Sequence, residues 1–544
     1  MTRDWWKQTV FYQIYPRSFS DSNGDGIGDI PGIISKLDYL QDLGIGAIWL
    51  SPVYKSPNHD NGYDISDYYD INPEYGTLDD MKQLFIETKR RDIRIIMDLV
   101  INHTSDEHPW FVEAGKPGSP YRGYYIWADA KQKGNRRRPP NNWLSYFGGP
   151  AWQWHKKSGQ YYLHLFSSHQ PDLNFNNPVV IEEVKKIMRF WLDMGAAGFR
   201  CDVINMIYKT SLADGSYSLF HLPGSEHYFS QAGNHDILHE LRWDILEPYG
   251  AFAVGESGGV VDIPTAQQFI GGELDALFVL DHLNVDTFGM PFLKRKYRPE
   301  RLKRVLSKWQ SALAWNALFF ENHDTERSVS KFGASGEQQT HSATMLATLL
   351  LTLKGSPFIY QGQEIGMENY PFRAIDEVQD ESTRSIYRFL RRRKLPRWLA
   401  FRLAMMVCRD HARTPMQWDA SKNAGFTTGT PWRPIHPDYE KVNVTAEKDD
   451  EDSIYNFYRA LVRLRNGTPA LQQGSVEILP AHDDVFAYRR QLDSTRYTVV
   501  ANMGPKRRHY ELPAGELMLS NYSVADMSSR SLQPYQTVVI RESA

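Results

Sequence analysis

Three carboxylates stand at the ends of short apolar runs: Asp202 in GFRCDVIN (198–205), Glu256 in VGES (254–257) and Asp324 in ENHDTER (321–327). A fourth run of this kind, IMDLVINHTS (96–105), contains His103. Each reads as a buried strand that breaks into a polar cluster at its C-terminal end, so the acids are expected to share one mouth. Two carboxylates flanking a glycosidic bond are the general solution for its hydrolysis, one protonating the leaving oxygen and the other attacking the anomeric carbon or activating water. Three acids alone suit a divalent metal equally well, but their neighbours favour sugar chemistry. Arg200 lies two residues before Asp202, on the same side of the strand, where its charge is expected to keep that carboxylate ionised. His103 and His323 supply donors for hydroxyls, and 15 Trp and 30 Tyr offer platforms for pyranose faces.

Residues so far apart in the chain need a repeating architecture to meet. Leu37, Leu40 and Leu43 line one helix face that stops at Gly44, and IGAIWL follows as a strand. From Glu182 to Met194, Val184, Ile187, Met188, Trp191 and Leu192 fall at helical spacing, Gly195 caps the helix, and AAGFRC enters as a strand. Repeated helix, glycine and buried strand predict parallel β structure built from βα units. Candidate strands end near Pro16, Ser51, Asp98, Asp202, Glu256, Leu280, Glu321 and Gln361, the eight that close a (β/α)8 TIM barrel, whose chemistry sits at the C-terminal strand ends. The interval from Asp98 to Asp202 far exceeds one βα unit, so an inserted domain is expected over 103–178, a stretch rich in Trp, Tyr, Pro, Gly and Asn. The barrel is then expected over 1–102 and 179–470, with a rim subdomain at about 366–455. Alternating runs from about Val476 predict a C-terminal antiparallel β-sandwich domain over 471–544.

With 544 residues, 41% of them hydrophobic, the chain has ample core, and no run is long enough to span a bilayer. Met1 leads into Asp4, Trp5, Trp6 and Lys7, not into a secretory signal, and Cys201 and Cys408 cannot form a disulfide framework. A cytoplasmic setting is expected, with Cys201 a packing residue. A net charge of −3 gives no pull toward nucleic acid or membrane. Two basic runs, Arg136 to Arg138 and RFLRRRKLPRWLAFR (388–402), read as solvated faces, with a phosphate or anion site as the alternative.

The four blocks resemble the conserved regions of the α-amylase family, glycoside hydrolase family thirteen, and QPDLNF (170–175) resembles its fifth. FYQIYPRSFSDSNGDGIGD, GYDISDY, RTPMQWD and AGFTTG are similar to its oligo-1,6-glucosidase and α-glucosidase subgroup, a likeness that runs from about Trp5 to the C-terminal domain. The resemblance implies Asp202 as nucleophile, Glu256 as acid/base, and Asp324 as the third carboxylate, steadying the distorted sugar ring. It implies that Arg200, His103 and His323 hold the sugar on the non-reducing side, with Phe166 a further substrate-binding residue. Asp60 and Arg413 resemble the pair that binds the terminal glucose and walls off the pocket; a plain salt bridge between them closes it equally well. Tyr63 resembles the stacking platform beneath that sugar. Together these imply a retaining exo-glucosidase acting on short oligosaccharides; a monomer or weak homodimer is expected. Val203, directly after the nucleophile, resembles the subgroup's choice for α-1,6 bonds over α-1,4 bonds, although a β-branched residue there also suits packing. GESGGV and HDTER depart from the subgroup's usual wording but keep Glu256 and Asp324.

Asp21, Asn23, Asp25 and Asp29 in DSNGDGIGD space oxygen ligands like a calcium loop, with the Ile27 carbonyl as a fifth. Gly32 at the twelfth position and a strand in place of the leading helix exclude an EF-hand. A structural Ca²⁺ or Mg²⁺ site resembling the subgroup's is expected, against an unmetallated Asx-rich turn, and no organic cofactor is expected. Four alternatives remain: an α-1,4-preferring or broad α-glucosidase or sucrase with transglucosylation; a trehalose-6-phosphate hydrolase using the basic runs; a transglucosylase or sucrose isomerase, although an arginine-rich RLDRD loop is missing; and a non-catalytic, transporter-associated barrel, which the three acids and the lack of a spanning segment disfavour.

Overall fold

Strands β1 (Phe11–Ile14), β2 (Ala47–Leu50), β3 (Arg94–Leu99), β4 (Gly198–Cys201), β5 (Phe252–Glu256), β6 (Ala276–Phe278), β7 (Ala317–Leu318) and β8 (Ser356–Tyr360) close, in chain order, into the parallel barrel that the eight strand ends predict. The computed structural model describes residues 4–134, 136–218, 221–259, 261–288, 294–523 and 530–543; Met1 and Val260, read above, lie outside them. The pleat's period of two decides what fills the barrel. Phe11, Trp49, Ile96, Phe252, Val254, Phe278 and Phe358 pack inside it, over Trp5, Trp6 and Trp315. Tyr12, Ile48, Met97, Phe199, Cys201 and Ile359 belong to the larger core between barrel and helices. In the inward phase, one step further along the strands, come Gln13, Asp98, Arg200 and Glu256. The barrel thus grades from apolar layers to a charged layer at its C-terminal end.

The helix Leu37–Leu43 ends at Gly44 with φ 87°, the left-handed geometry that a Cβ disfavours. Helix Pro178–Met194 starts a turn before its apolar periodicity because the Asn177 side chain accepts from the Val179 N–H and Pro178 takes the first position. Gly198 (φ 154°) opens β4 where a Cβ would stand 2.0 Å from the Phe252 carbonyl oxygen. The two strands that carry Arg200 and Glu256 therefore approach through a glycine.

Between β3 and β4 lie the helix Pro109–Ala114, a three-stranded antiparallel sheet (Trp127–Ala128, Gln160–Leu163, Trp152–His155) and a hairpin (Lys131–Lys133 with Arg136–Arg138). Their core of Trp143, Trp152, Tyr161 and Leu163 includes Val203, Met206 and Tyr228 from beyond β4. Val203 is thus a packing residue of this module as well as the neighbour of Asp202. After β8 the rim includes the helices Glu381–Arg392, Arg397–Met405 and Val444–Asp449. The basic run 388–402 is divided between the first two of these helices at Lys394 (φ 65°), where Pro396 forbids continuation of the first.

The helix Pro469–Gln473 straddles the boundary expected at 471, and the C-terminal sheet begins at Ser475. Its five antiparallel strands run in the order Ser475–Leu479, Val485–Leu492, Thr495–Asn502, Thr537–Glu542 and Gly515–Ser520. One face adds Phe486, Tyr488, Val499 and Val539 to the main core. The other covers a small cluster with Leu532, from the two-stranded ladder Arg508–His509 with Ser531–Leu532. The expected sandwich therefore has a second layer of only two short strands, since the barrel already covers one face of the large sheet. Among the described residues no helix is long and apolar enough to cross a membrane.

Candidate active site

The barrel's charged layer is organised by one guanidinium. Arg200, at 1% exposure, projects inward from β4. Its Nη1 donates to Asp98 Oδ1 at 2.8 Å and to Asp202 Oδ1 at 2.5 Å, and its Nη2 lies 2.5 Å from Glu256 Oε2. The register that pairs Arg200 with Asp98 across β4 and β3 makes the first contact unavoidable. Asp202 follows β4, its N–H donating to the Leu99 carbonyl at 3.0 Å, and Glu256 is the last residue of β5. Asp324 follows β7 in a turn where its N–H donates to Asn322 Oδ1 at 2.8 Å.

The three acids carry different proton affinities. Burial pushes the Asp202 carboxyl up to about 7 against the pull of Arg200, with Asp98 and Asp324 adding to the push. Arg200 alone therefore does not hold Asp202 at the low pKa its sequence position suggests, because it divides its charge among three carboxylates. Burial likewise lifts Glu256 to about 7; Arg200 opposes this, and Asp202 and Asp324 reinforce it. Asp324 goes the other way. Burial works against its charge, but Arg409, Arg413 and Arg200 hold it well below the carboxylate range. Asp202 and Glu256 are thus a pair that holds one proton near neutrality beside a permanently charged Asp324.

Neutral histidines complete the wall. Burial lowers His323 to about 3 and His103 to about 4, so both rings are uncharged, and His323 Nε2 stands 3.4 Å from Asp324 Oδ2. Gln13 Nε2 donates to His323 Nδ1 at 2.7 Å, which places the ring proton on Nε2. That N–H reaches the Tyr63 hydroxyl at 2.8 Å, and Tyr63 in turn donates to Asp98 Oδ2 at 3.0 Å. The Tyr63 ring stacks on His323 at 5.3 Å, 3° from parallel. Phe166 lies 5.3 Å from the His103 ring and stacks on Tyr146 at 5.4 Å.

A cavity of about 420 Å³ opens here, in the small-molecule range. Asp60, Tyr63, His103, Phe166, Asp202, Val203, Glu256 and Asp324 all line it. Arg200, His323 and Arg413 stand one layer behind, each at 1% exposure or less. Val203 adopts φ 34° and ψ 41°, a left-handed conformation that is costly for a β-branched residue, and its N–H points to Glu256 Oε2 at 3.5 Å.

The plain salt bridge between Asp60 and Arg413, weighed as the alternative to their binding the terminal glucose, is not formed. Arg413 Nη2 binds Asp324 Oδ1 at 2.5 Å, and its Nε donates to the His323 carbonyl at 2.9 Å. Asp60 pairs instead with Arg409, at 3.4 Å, and Arg409 also reaches Asp380 at 2.7 Å and Asp324 at 3.4 Å. Arg409 precedes Arg413 by four residues, so it comes nearer the cavity while Arg413 turns inward. Sequence reasoning missed Arg409, Asp380 and the positioning role of Asp98. It also missed Gln170, whose Nε2 bonds Asp60 Oδ2 at 3.1 Å and lies 3.1 Å from His103 Nε2. Asp98 and Gln170 stand inside motifs already singled out, and Arg409 borders RTPMQWD; only Asp380 carries no sequence signal.

Neither basic run reaches the cavity. Arg136 to Arg138 form an exposed strand, with Arg137 over Trp154, and Arg388 pairs with Glu381. The loop from Asp21 to Asp29 folds on itself. Asp21 Oδ1 accepts from the Asn23 and Gly24 N–H groups, Asn23 Oδ1 from Asp25, and Asp25 Oδ1 from Ile27. Asp29 accepts from the Ser22 N–H and hydroxyl on Oδ2 and from the Gly32 N–H on Oδ1. The donor set is all oxygen, as a hard cation requires, although both Asp29 oxygens already accept hydrogen bonds.

The geometry places acids at barrel strand ends for glycosidic chemistry, and similarity decides the lineage. Residues 13–474 match the family model of the α-amylase catalytic domain. The chain belongs to the α-amylase family. Within it, the chain is 44% identical to an oligo-1,6-glucosidase of Parageobacillus thermoglucosidasius, over 99% of each sequence. It is 39% identical to a trehalose-6-phosphate hydrolase of Bacillus subtilis (strain 168), over 99% of this chain and 98% of that one. Among solved structures it superposes on the isomaltulose synthase from Protaminobacter rubrum with a TM-score of 0.94 at 39% identity, covering 99% of both chains. The protein is a glycoside hydrolase of this family.

Proposed function

We propose that this chain is a retaining, exo-acting α-glucosidase that releases glucose from the non-reducing end of short α-glucosides and favours α-1,6 bonds. The observation that carries the reading is a walled pocket in which Asp202 and Glu256 meet on one guanidinium while Arg409 braces Asp60, Asp324 and Asp380. Two nitrogens of one planar group keep the carboxylates close, which suits double displacement better than the wider spacing that houses a water. Asp202 attacks the anomeric carbon as Glu256 gives its proton to the leaving oxygen. Glu256 then takes a proton from the water that displaces Asp202. Two inversions return the α configuration. Asp324, always charged beside Arg413, accepts hydrogen bonds from ring hydroxyls.

Support for α-1,6 bonds comes from Val203 and from relatives named oligo-1,6-glucosidases. A phosphorylated substrate is favoured less, because Arg409, the cation lining the cavity among the described residues, is already bound to three carboxylates. We further propose a cytoplasmic setting, in keeping with two buried free thiols, a monomer or weak homodimer, and a structural Ca²⁺ or Mg²⁺ held by Asp21, Asn23, Asp25, Asp29 and the Ile27 carbonyl. Glucose release from isomaltose, maltose, sucrose and trehalose 6-phosphate, beside an Asp202→Asn control, tests the reading. Isomaltose leads if it holds; a lead by maltose or sucrose removes the linkage claim, and reaction of the phosphorylated sugar alone overturns the substrate.

A further inference from the structure

Outside the catalytic layer, one set of metal-ligating side chains converges from three segments. His59 sits on the loop after β2, Asp106 on the segment after β3, and His169 on the return from the inserted module. One ligand atom from each lies within 4.8 Å of the others, the only such group of three among the described residues. The imidazoles of His59 and His169 stack face to face at 3.8 Å, 13° from parallel, and His169 Nδ1 lies 2.9 Å from Asp106 Oδ2. Asp106 Oδ1 is buried and accepts no hydrogen bond, so the carboxylate has a lone pair to give. Glu107 Oε1 stands 4.0 Å from His59 Nε2, within reach as a fourth ligand.

The backbone fixes this arrangement. Asp64 accepts from the N–H groups of His59 and Asp60, the Asp106 N–H donates to the His169 carbonyl, and the Ser105 N–H donates to the Ile65 carbonyl. The side chains themselves keep solvent access, His59 at 38% and His169 at 44% exposure, so an ion has a path in. Two imidazoles and a carboxylate are the donor set of a borderline divalent transition ion, not of Ca²⁺ or Mg²⁺. Tetrahedral Zn²⁺ with bonds of about 2.0–2.1 Å sets its ligands roughly 3.3 Å apart, so the half-exposed imidazoles have to turn out of their stack and the ligand atoms, which lie within 4.8 Å of one another, have to close by up to about 1.5 Å.

We propose that His59, Asp106 and His169, with Glu107, form a Zn²⁺ site that clips the loop after β2 to the inserted module. Its position gives it a grip on the glucose pocket. His59 adjoins Asp60 and His169 adjoins Gln170, and these two neighbours are joined across the pocket wall by the 3.1 Å hydrogen bond from Gln170 Nε2 to Asp60 Oδ2. Occupancy draws the two loops together and changes substrate affinity more than turnover. That second step rests on the glucosidase reading; the binding step does not.

The test titrates Zn²⁺ alone into the full-length protein by calorimetry, with Ca²⁺ as a comparison and His59→Asn/His169→Gln as the variant. The wild type is expected to bind one equivalent of Zn²⁺ at this site with a rise in Tm, and the variant to lose more than about 100-fold in affinity while keeping its metal-free Tm. Equal Zn²⁺ affinity in both proteins, or displacement of Zn²⁺ by equimolar Ca²⁺, overturns the site. With zinc bound, KM for isomaltose is expected to move at least twofold in the wild type and not in the variant. Zinc binding at these residues without a KM shift overturns the clip and leaves the glucosidase reading untouched.

Discussion

At Glu256 and Asp202 the protein sets two carboxyls near pH 7 by burying both and giving them one shared cation. In the proposed mechanism the reactive form holds one proton, on Glu256, with Asp202 ionised. Raising pH through about 7 is expected to strip that proton and lower kcat/KM, and lowering pH to add a second proton, on Asp202, and lower it again, a bell that a pH profile of kcat/KM on isomaltose reads. Glu256→Gln is expected to cut kcat on isomaltose by about 10³-fold and to erase the alkaline limb on an activated aryl glucoside, which needs no acid. A limb that persists in the variant assigns the proton elsewhere. Asp202→Asn is expected to abolish turnover on both substrates. Arg409→Met leaves Asp60, Asp324 and Asp380 without their brace, a loss of about 3–5 kcal/mol for an uncompensated buried pair. Thermal unfolding should show the drop in Tm, and KM for isomaltose should rise more than tenfold by an order-of-magnitude reckoning. A KM unchanged in a folded variant removes Arg409 from the pocket wall.

Among the elements, β4 is the most constrained. Gly198 lets it meet β5 at a distance no Cβ tolerates, Arg200 and Asp202 follow in the inward phase, and Val203 turns left-handed into the core of the inserted module. Gly198→Ala is expected to cost at least about 3 kcal/mol, read by denaturant unfolding, because the alanine methyl meets backbone that cannot yield. A stability within about 1 kcal/mol of wild type would show that the strands part more easily than their packing implies. Val203→Thr keeps the shape and adds a hydroxyl at the pocket surface. The ratio of isomaltose to maltose turnover should fall by up to about tenfold with little change in Tm, and an unchanged ratio would leave Val203 a packing residue alone.

For the whole molecule, the loop from Asp21 to Asp29 is tied to the rim, where Asp21 Oδ2 accepts from the Thr427 hydroxyl at 2.5 Å, so the proposed ion would join β1 to the segment that carries Arg413. Chelation is expected to lower Tm by several degrees, with recovery on adding Ca²⁺; an unmoved Tm leaves an Asx-rich turn. The sequence by itself determined the eight strands, their glycine-terminated helices and the three acids, because alternation, helical spacing and caps are local and survive without a partner. It also announced the inserted segment through its composition. Tertiary structure alone decided the rest. That Arg409 rather than Arg413 takes Asp60 depends on which of two arginines four residues apart comes nearer the cavity, and Asp380 joined them from a rim segment with no motif. The division of Arg200 among Asp98, Asp202 and Glu256 follows from barrel register, and with it the pair's raised proton affinity, since burial is a property of the closed barrel and not of any residue in it.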